Sequence, residues 1–244
     1  MTMTNRTLTT RLAGILCLGA LVGAGAACGD DGGSGGGASR STTLTSAFCE
    51  AKADLDAVSP DTPDEAALRR YQKEATPLLA RMDDEAPGGL ADAVTTVRDS
   101  IVEPDSLEEA GAAATDEDVA AAKEAIGTAV HEQCGFEEAT FVAADHRFED
   151  TPGTLARGRS SLVLDNRGEA LHALVVFRVN EDVADADIAG LVGSEELESR
   201  ASFVNAMPAA GGHVAQLVVD LEPGRYLFFD DEHMDDMVGT FTVE

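Results

Sequence analysis

Residues 223–243 read PGRYLFFDDEHMDDMVGTFTV and decide the fold of the C-terminal half of the chain. Residues 226–229 and 238–243 are rich in aromatic and β-branched side chains, which favour strands. Between them, residues 230–237 contain five acidic residues, one histidine and two methionines. The pattern therefore predicts two strands joined by an acidic loop.

The same strand-like composition recurs upstream of this segment. It covers 139–148, 161–164, 171–179, 201–207 and 214–221. Turn-forming residues, such as Asn166-Arg167-Gly168 and Gly211-Gly212, separate the segments. Seven strand segments without long helices predict an antiparallel β-sandwich over residues 138–244, with a helical insertion at 185–200.

Residues 42–135 have a helical pattern instead. Apolar side chains recur there at three- and four-residue spacing, and Pro77 is expected to kink or divide one of the segments. About four helices are predicted, which is typical of an up-down bundle. The fold class is therefore α+β with two domains, an N-terminal helical bundle followed by a C-terminal sandwich.

The N-terminus has the pattern of an export signal. Residues 1–27 contain Arg6 and Arg11, no acidic residue, and a short apolar stretch. Gly25-Ala26-Ala27-Cys28 then reads as a lipobox, although bacterial lipoproteins usually carry an apolar residue where Gly25 stands. Cys28 is the predicted lipidation site, and residues 28–41 form a tether rich in Gly and Asp. The alternative is ordinary cleavage after Ala26, which leaves a free thiol.

Four cysteines are present, at positions 17, 28, 49 and 134. The first is removed with the signal peptide and the second carries the lipid, so Cys49 and Cys134 remain. An even pair in an exported chain predicts one disulfide, which would tie the first helix of the bundle to the last. The alternative is a redox-active pair, but the chain contains no Cys-x-x-Cys motif.

The net charge of −28 becomes −30 after removal of residues 1–27, since 15 basic and 45 acidic residues remain. Such a charge excludes nucleic acid as a plausible partner and disfavours direct contact with anionic headgroups. The expected partners are therefore the membrane, through the lipid anchor, and an envelope protein of unknown identity. The expected location is extracytoplasmic, on the cell membrane.

Three ordered motifs in the sandwich segment resemble those of cupredoxins, and more closely those of cupredoxin-like domains in actinobacterial envelope lipoproteins. The resemblance covers residues 138–243. The motifs are Asn166-x-Gly168-x-x-x-His172, Pro223-Gly224-x-Tyr226-x-Phe228, and His233-x-x-x-Met237-Val238-Gly239-x-Phe241-x-Val243.

Cupredoxins hold copper with two histidines, a cysteine and a weakly bound methionine. The resemblance places His172, His233 and Met237 at the His, His and Met positions, and Asp230 at the Cys position. Because blue-copper chemistry depends on a copper–thiolate bond and this domain contains no cysteine, a blue-copper electron carrier is excluded.

Two hypotheses about this site remain. In the first, the site has lost its metal and residues 230–237 form only a solvated acidic loop. In the second, His172, Asp230 and His233 bind Cu(II) or Zn(II), and Met237 adds a soft ligand. His131 is expected to be a surface residue without a role. His146 and His213 lie near predicted strand edges; either could approach the site in space, but the sequence gives no reason to place it there, and exposure is the expectation.

No motif of a known catalytic site is present. The chain lacks Gly-x-Ser-x-Gly, His-Glu-x-x-His, a phosphate-binding glycine loop and a dinucleotide fingerprint. The sequence therefore favours a non-enzymatic envelope lipoprotein that acts as a binding or interaction module. The alternative is an extracytoplasmic protein that binds copper or zinc.

Overall fold

The computed structural model describes residues 43–58 and 64–244. The predicted signal peptide, the lipidation site at Cys28 and the whole predicted tether lie outside these residues. Within the described part of the chain, no helix is both long and apolar enough to cross a bilayer.

The described N-terminal half contains five helices, one more than expected. Side-chain oxygens of Thr45, Asp64, Ser106 and Asp116 accept hydrogen bonds from backbone N–H groups in the first turns of four of them, which sets their starting points. The helices are α1 (Ser46–Ala57), α2 (Glu65–Glu85), α3 (Ala91–Val102), α4 (Leu107–Ala114) and α5 (Glu117–Gln133).

Pro77 does not divide its segment, since α2 runs on through it. A proline removes one backbone donor from a helix. Leu79 and Met82, which follow it, are fully buried in the helical core. Their packing against the neighbouring helices holds the last turns in helical geometry.

The predicted disulfide between Cys49 and Cys134 is confirmed. It joins α1 to the residue that ends α5, across a sequence separation of 85 residues. Closing a loop of that length stabilises the fold by about 4–5 kcal/mol in the chain-entropy model. The helical core contains many alanines, so this cross-link supplements thin apolar packing.

The C-terminal half is a sandwich of two sheets, which confirms the predicted class. The described strands are β1 (Glu137–Ala144), β2 (Arg147–Asp150), β3 (Thr154–Leu155), β4 (Gly158–Asn166), β5 (His172–Val179), β6 (Ala201–Ala209), β7 (Val214–Leu221), β8 (Gly224–Phe229) and β9 (Val238–Val243). The first sheet has the strand order β2-β1-β4-β7 and the second β3-β9-β8-β5-β6.

The sandwich differs from the expectation in two respects. Two of its strand pairs, β1 with β4 and β3 with β9, are parallel, so the sheets are mixed. Residues 139–148, expected to form one strand, instead form a hairpin that turns at Asp145 and His146. The second difference matters for the site, because it brings His146 to the end of the sandwich where β5 begins.

Residues 226–229 of β8 form an unbroken apolar run, and the two faces of the strand explain it. Tyr226 and Phe228 face the core between the sheets, whereas Leu227 and Phe229 face the opposite side. That outer face is also buried, because residues 183–201 fold over it as two 3₁₀ turns (Asp185–Asp187 and Ala189–Leu191) and the short helix α6 (Leu197–Arg200). A strand covered on both faces needs apolar residues at every position.

The helical half packs directly on the sandwich. Val218 of β7 belongs to the helical core, and its backbone N–H donates to Oδ2 of Asp56 at 2.8 Å. The backbone carbonyl of Asp56 accepts a hydrogen bond from Nδ2 of Asn205 at 3.0 Å. Burial, followed by the nearby charge of Asp56, raises the pKa of Tyr71 to about 12. The end of α1 is therefore fixed against two strands.

Candidate metal centre

The pairing of β5 with β8 brings the sequence-predicted site residues together. The two strands are antiparallel, and Val175 lies opposite Phe229. This register places the end of β8, and Asp230 directly after it, beside the start of β5 at His172. Residues 58 positions apart in the sequence therefore become neighbours.

Asp230 is the centre of this arrangement and is completely buried. Its Oδ2 accepts hydrogen bonds from Nδ1 of His172 at 3.0 Å and from the backbone N–H of Ala173 at 2.9 Å. Its Oδ1 accepts from the backbone N–H groups of Glu232 and His233, at 2.9 and 3.0 Å, and from Nδ1 of His233 at 3.1 Å. One carboxylate thus links β5 to the loop between β8 and β9.

These hydrogen bonds keep Asp230 ionised. Burial by itself would raise the pKa of this carboxyl, because it penalises the charged form. Hydrogen bonds from Ala173 N–H and from the side chains of His172 and His233 outweigh that effect and hold the pKa of Asp230 below its ordinary value. The negative charge that a thiolate would supply at this position is therefore supplied by oxygen.

His172 carries an unpaired nitrogen. Because an ionised carboxylate can only accept hydrogen bonds, Nδ1 of His172 carries a proton and donates it to Asp230. The ring is fully buried, and among the residues that the structure describes nothing pairs with its Nε2. A buried polar atom without a partner costs about 1–3 kcal/mol, so this ring is held in place at an energetic cost.

The loop itself is held by its own backbone. The N–H of Met237 donates to the carbonyl of His233 at 2.9 Å, and the N–H of Asp230 donates to the carbonyl of Met237 at 3.0 Å. Met237 is fully buried and packs in the core between the sheets. Both ends of the loop are therefore fixed, and His233 lies on the inner side of the turn between them.

His146 is a neighbour that sequence reasoning missed. Its ring lies 4.7 Å from that of His233, measured between centroids, in an edge-to-face arrangement. The centroid of the His233 ring also lies 5.2 Å from that of the His172 ring. The other two histidines lie elsewhere: His131 pairs with Glu138 at 3.2 Å, and His213 faces Glu124 at 3.8 Å.

The surroundings of the site are strongly negative. Glu232, Asp235 and Asp236 are exposed around it. Burial, followed by the charge of Asp230, raises the pKa of Asp231. Met234 is one of the few large apolar side chains exposed in the described residues. A concentrated negative field of this kind attracts cations to the mouth of the site.

The geometry fits a divalent cation. One donor atom from each of His172, Asp230 and His233 lies within 4.8 Å of the other two. Donors 2.0–2.1 Å from a tetrahedral zinc ion are roughly 3.3 Å apart. Here Nδ1 of His172 lies 3.0 Å from Oδ2 of Asp230, and Nδ1 of His233 lies 3.1 Å from Oδ1 of the same carboxylate. Each imidazole would therefore have to shift outward from its own carboxylate oxygen to admit an ion. Two imidazoles and one carboxylate suit Zn(II) or Cu(II) and leave a fourth position open.

The sandwich resembles cupredoxins. A crystal structure of auracyanin from the photosynthetic bacterium Roseiflexus castenholzii is 18% identical over 44% of this chain and 96% of its own, with a TM-score of 0.35. Auracyanin A from Chloroflexus aurantiacus, a "blue" copper protein, is 18% identical over 44% and 99%, with a TM-score of 0.32. A purple cupredoxin from Nitrosopumilus maritimus is 12% identical over 44% and 99%, with a TM-score of 0.28.

No protein-family model matches the chain, and no curated protein sequence matches it.

Proposed function

We propose that this chain is a non-enzymatic binding protein whose sandwich holds one Cu(II) or Zn(II) ion between His172, Asp230 and His233. The observation that carries the proposal is the convergence of these three side chains, of which His172 and Asp230 are buried and His233 is partly exposed, with Asp230 ionised. Borderline cations prefer imidazole and carboxylate donors in this combination. The buried thioether of Met237 lies at the base of the same loop, where it could add a soft ligand.

Oδ2 of Asp230 is the better ligand atom of the carboxylate. An ion between the rings would displace the two imidazole N–H donors and leave the three backbone donors in place. Oδ1 would then still accept from Glu232 and His233, whereas Oδ2 would accept only from Ala173. A carboxylate oxygen has about two lone-pair sites, so Oδ2 keeps one for the metal. The backbone bonds would orient the ligand, as outer-shell contacts do at metal sites.

The second candidate function is a metal-free interaction module. It is favoured by the fact that Asp230 already accepts five hydrogen bonds without an ion. In that case the carboxylate joins β5 to the loop in place of both the thiolate and the metal. The surface of the sandwich would then bind an envelope protein.

Calorimetric titration of the purified protein with Cu(II), Cu(I) and Zn(II) separates the two candidates. Metal binding predicts one ion per chain with sub-micromolar affinity, weakened by roughly 100-fold or more in His172→Ala and in His233→Ala. His131→Ala is the matched control, because it removes a histidine that pairs with Glu138 instead. Absence of binding, or binding that persists unchanged in both site variants, supports the metal-free module.

Replacing the central oxygen ligand with sulfur gives an independent test of the ligand geometry. Asp230→Cys places a thiolate at the position where the carboxylate now contacts both histidines. A Cu(II)–thiolate bond absorbs strongly in the visible range, so this variant is expected to turn intensely coloured with Cu(II), while the wild type does not. Colour in the wild type would contradict the assignment of an oxygen ligand.

We also propose that the protein is exported and anchored to the outer face of the cell membrane through Cys28. The basic start, the apolar stretch and the Gly-Ala-Ala-Cys motif support this proposal. Labelled palmitate should be incorporated into the wild type and not into Cys28→Ser. If the wild type incorporates no label, export without lipidation is the correct alternative.

A further inference from the structure

Three imidazole rings form a row from the interior to the surface. His172 is buried, His233 is partly exposed and His146 is exposed. The ring centroids are 5.2 Å apart for the inner pair and 4.7 Å for the outer pair. The row thus connects the candidate metal centre with solvent through its middle member.

The position of His146 is set by the fold. Its backbone has a φ of 62°, a left-handed conformation that glycine usually occupies. The turn that carries it is tied to the segment just before His172. The N–H of Glu169 donates to Oδ1 of Asp145 at 3.0 Å, and the N–H of Arg167 donates to the carbonyl of Ala143 at 2.8 Å. These two contacts, made by Ala143 and Asp145, hold the turn that carries the outer ring against the segment that leads to His172.

His146 does not belong to the inner ligand group. Within the described residues, the donor atoms that lie within 4.8 Å of one another come from His172, Asp230 and His233. The ring of His146 contacts that of His233, and the ring of His233 also contacts that of His172. A ligand common to two positions allows a cation to exchange one donor at a time, so that the ion never loses all its ligands in a region of low dielectric constant.

We infer that His146 and His233 form an outer position through which Cu(II) or Zn(II) passes between solvent and the buried set of His172, Asp230 and His233. This inference rests on the proposed function, since it names the route to the same site. The exposed acids around the loop concentrate cations at the outer position, and the two imidazoles select borderline metals over Ca²⁺ and Mg²⁺.

The alternative role of His146 is packing against His233 alone. The two roles differ in what they do to exchange rates. An intermediate position on the route lowers the barrier for entry and for exit equally, so its removal slows both without changing the equilibrium affinity. A packing role affects the stability of the hairpin and leaves the rates of exchange unchanged.

His146→Gly is the suitable variant, because glycine adopts the positive φ without strain and only the imidazole is lost. His146→Asn, which also tolerates this conformation, serves as a second variant. Stopped-flow mixing of the full chain with Cu(II) measures loading, and mixing of the loaded protein with EDTA measures release. Both rates should fall by about 10-fold or more, while the dissociation constant stays within about 3-fold of the wild type. His131→Asn should change neither rate.

Unchanged rates in both variants at position 146 would overturn the inference and leave the inner site intact. A large loss of affinity with unchanged loading would also overturn it, because His146 would then be a ligand of the inner site. Absence of Cu(II) and Zn(II) binding in the wild type would refute the proposed function and this inference together. The three results are distinguishable in one set of measurements.

Discussion

Replacement of Asp230 by alanine should destabilise the metal-free protein more than any exposed substitution in the same loop. The carboxylate is fully buried and accepts five hydrogen bonds. The truncation leaves Nδ1 of His172 and the N–H of Ala173 without an acceptor in the interior. The donors on Glu232 and His233 are only partly buried, so water can replace the lost oxygen there.

The magnitude follows from these donors. Each buried donor left unpaired costs about 1–3 kcal/mol, and each partly buried donor costs less than about 1 kcal/mol. The two buried donors alone give an expected loss of unfolding free energy of about 2–6 kcal/mol for Asp230→Ala. Asp230→Asn keeps the volume and one acceptor oxygen, so its expected loss is smaller, about 2–3 kcal/mol.

Equilibrium unfolding in urea, followed by circular dichroism with EDTA present, measures this difference. Asp235→Ala is the matched control, because it removes an exposed aspartate from the same loop and should change the stability by no more than about 0.5 kcal/mol. A loss below about 1 kcal/mol for Asp230→Ala, with an unchanged denaturant slope, would refute the view that this carboxylate joins β5 to the loop.

Three further predictions concern the rest of the fold. The pKa of Tyr71 is raised to about 12 in the folded protein, so its contribution to stability is fully present below the unfolded pKa near 10 and is lost as the pH rises towards 12. This alkaline loss of unfolding free energy is at most about 3 kcal/mol. Unfolding curves measured at each pH should show a smaller loss for Tyr71→Phe. Reduction of the Cys49–Cys134 disulfide should lower the unfolding free energy by about 4–5 kcal/mol. An unchanged unfolding temperature in calorimetry after reduction would contradict this. Gly239→Ala would place a Cβ 2.2 Å from the ring of Phe228, so a loss of at least about 2 kcal/mol is expected, whereas Gly111→Ala, which meets no neighbour, should not destabilise the protein.

The elements with strong local patterns could be predicted from the sequence. The strands that end and begin around residues 230–237 were recognisable because aromatic and β-branched residues flank an acidic segment. The disulfide followed from the number of cysteines. The predicted division at Pro77 is wrong, since α2 continues through this residue and packing of buried residues beyond it outweighs the loss of one helical hydrogen bond.

The hairpin at Asp145 and His146 was missed for a different reason. Its two central residues do not form one of the strong turn dipeptides, and apolar residues precede it without a break. The turn is instead held from outside, by the N–H of Glu169 and by the pairing of β1 with β4. A contact between segments more than 20 residues apart leaves no local mark in the sequence.

The sequence by itself determined the types of donor at the site: two imidazoles, a carboxylate where a thiolate would be needed for blue copper, and a methionine. Only the tertiary structure decided how they are used. The register of β5 and β8 places Asp230 against His172, and the turn after β1 places His146 against His233. Residue type is local information, whereas burial, hydrogen-bond partners and the distance between two rings depend on how the sheets pair and pack.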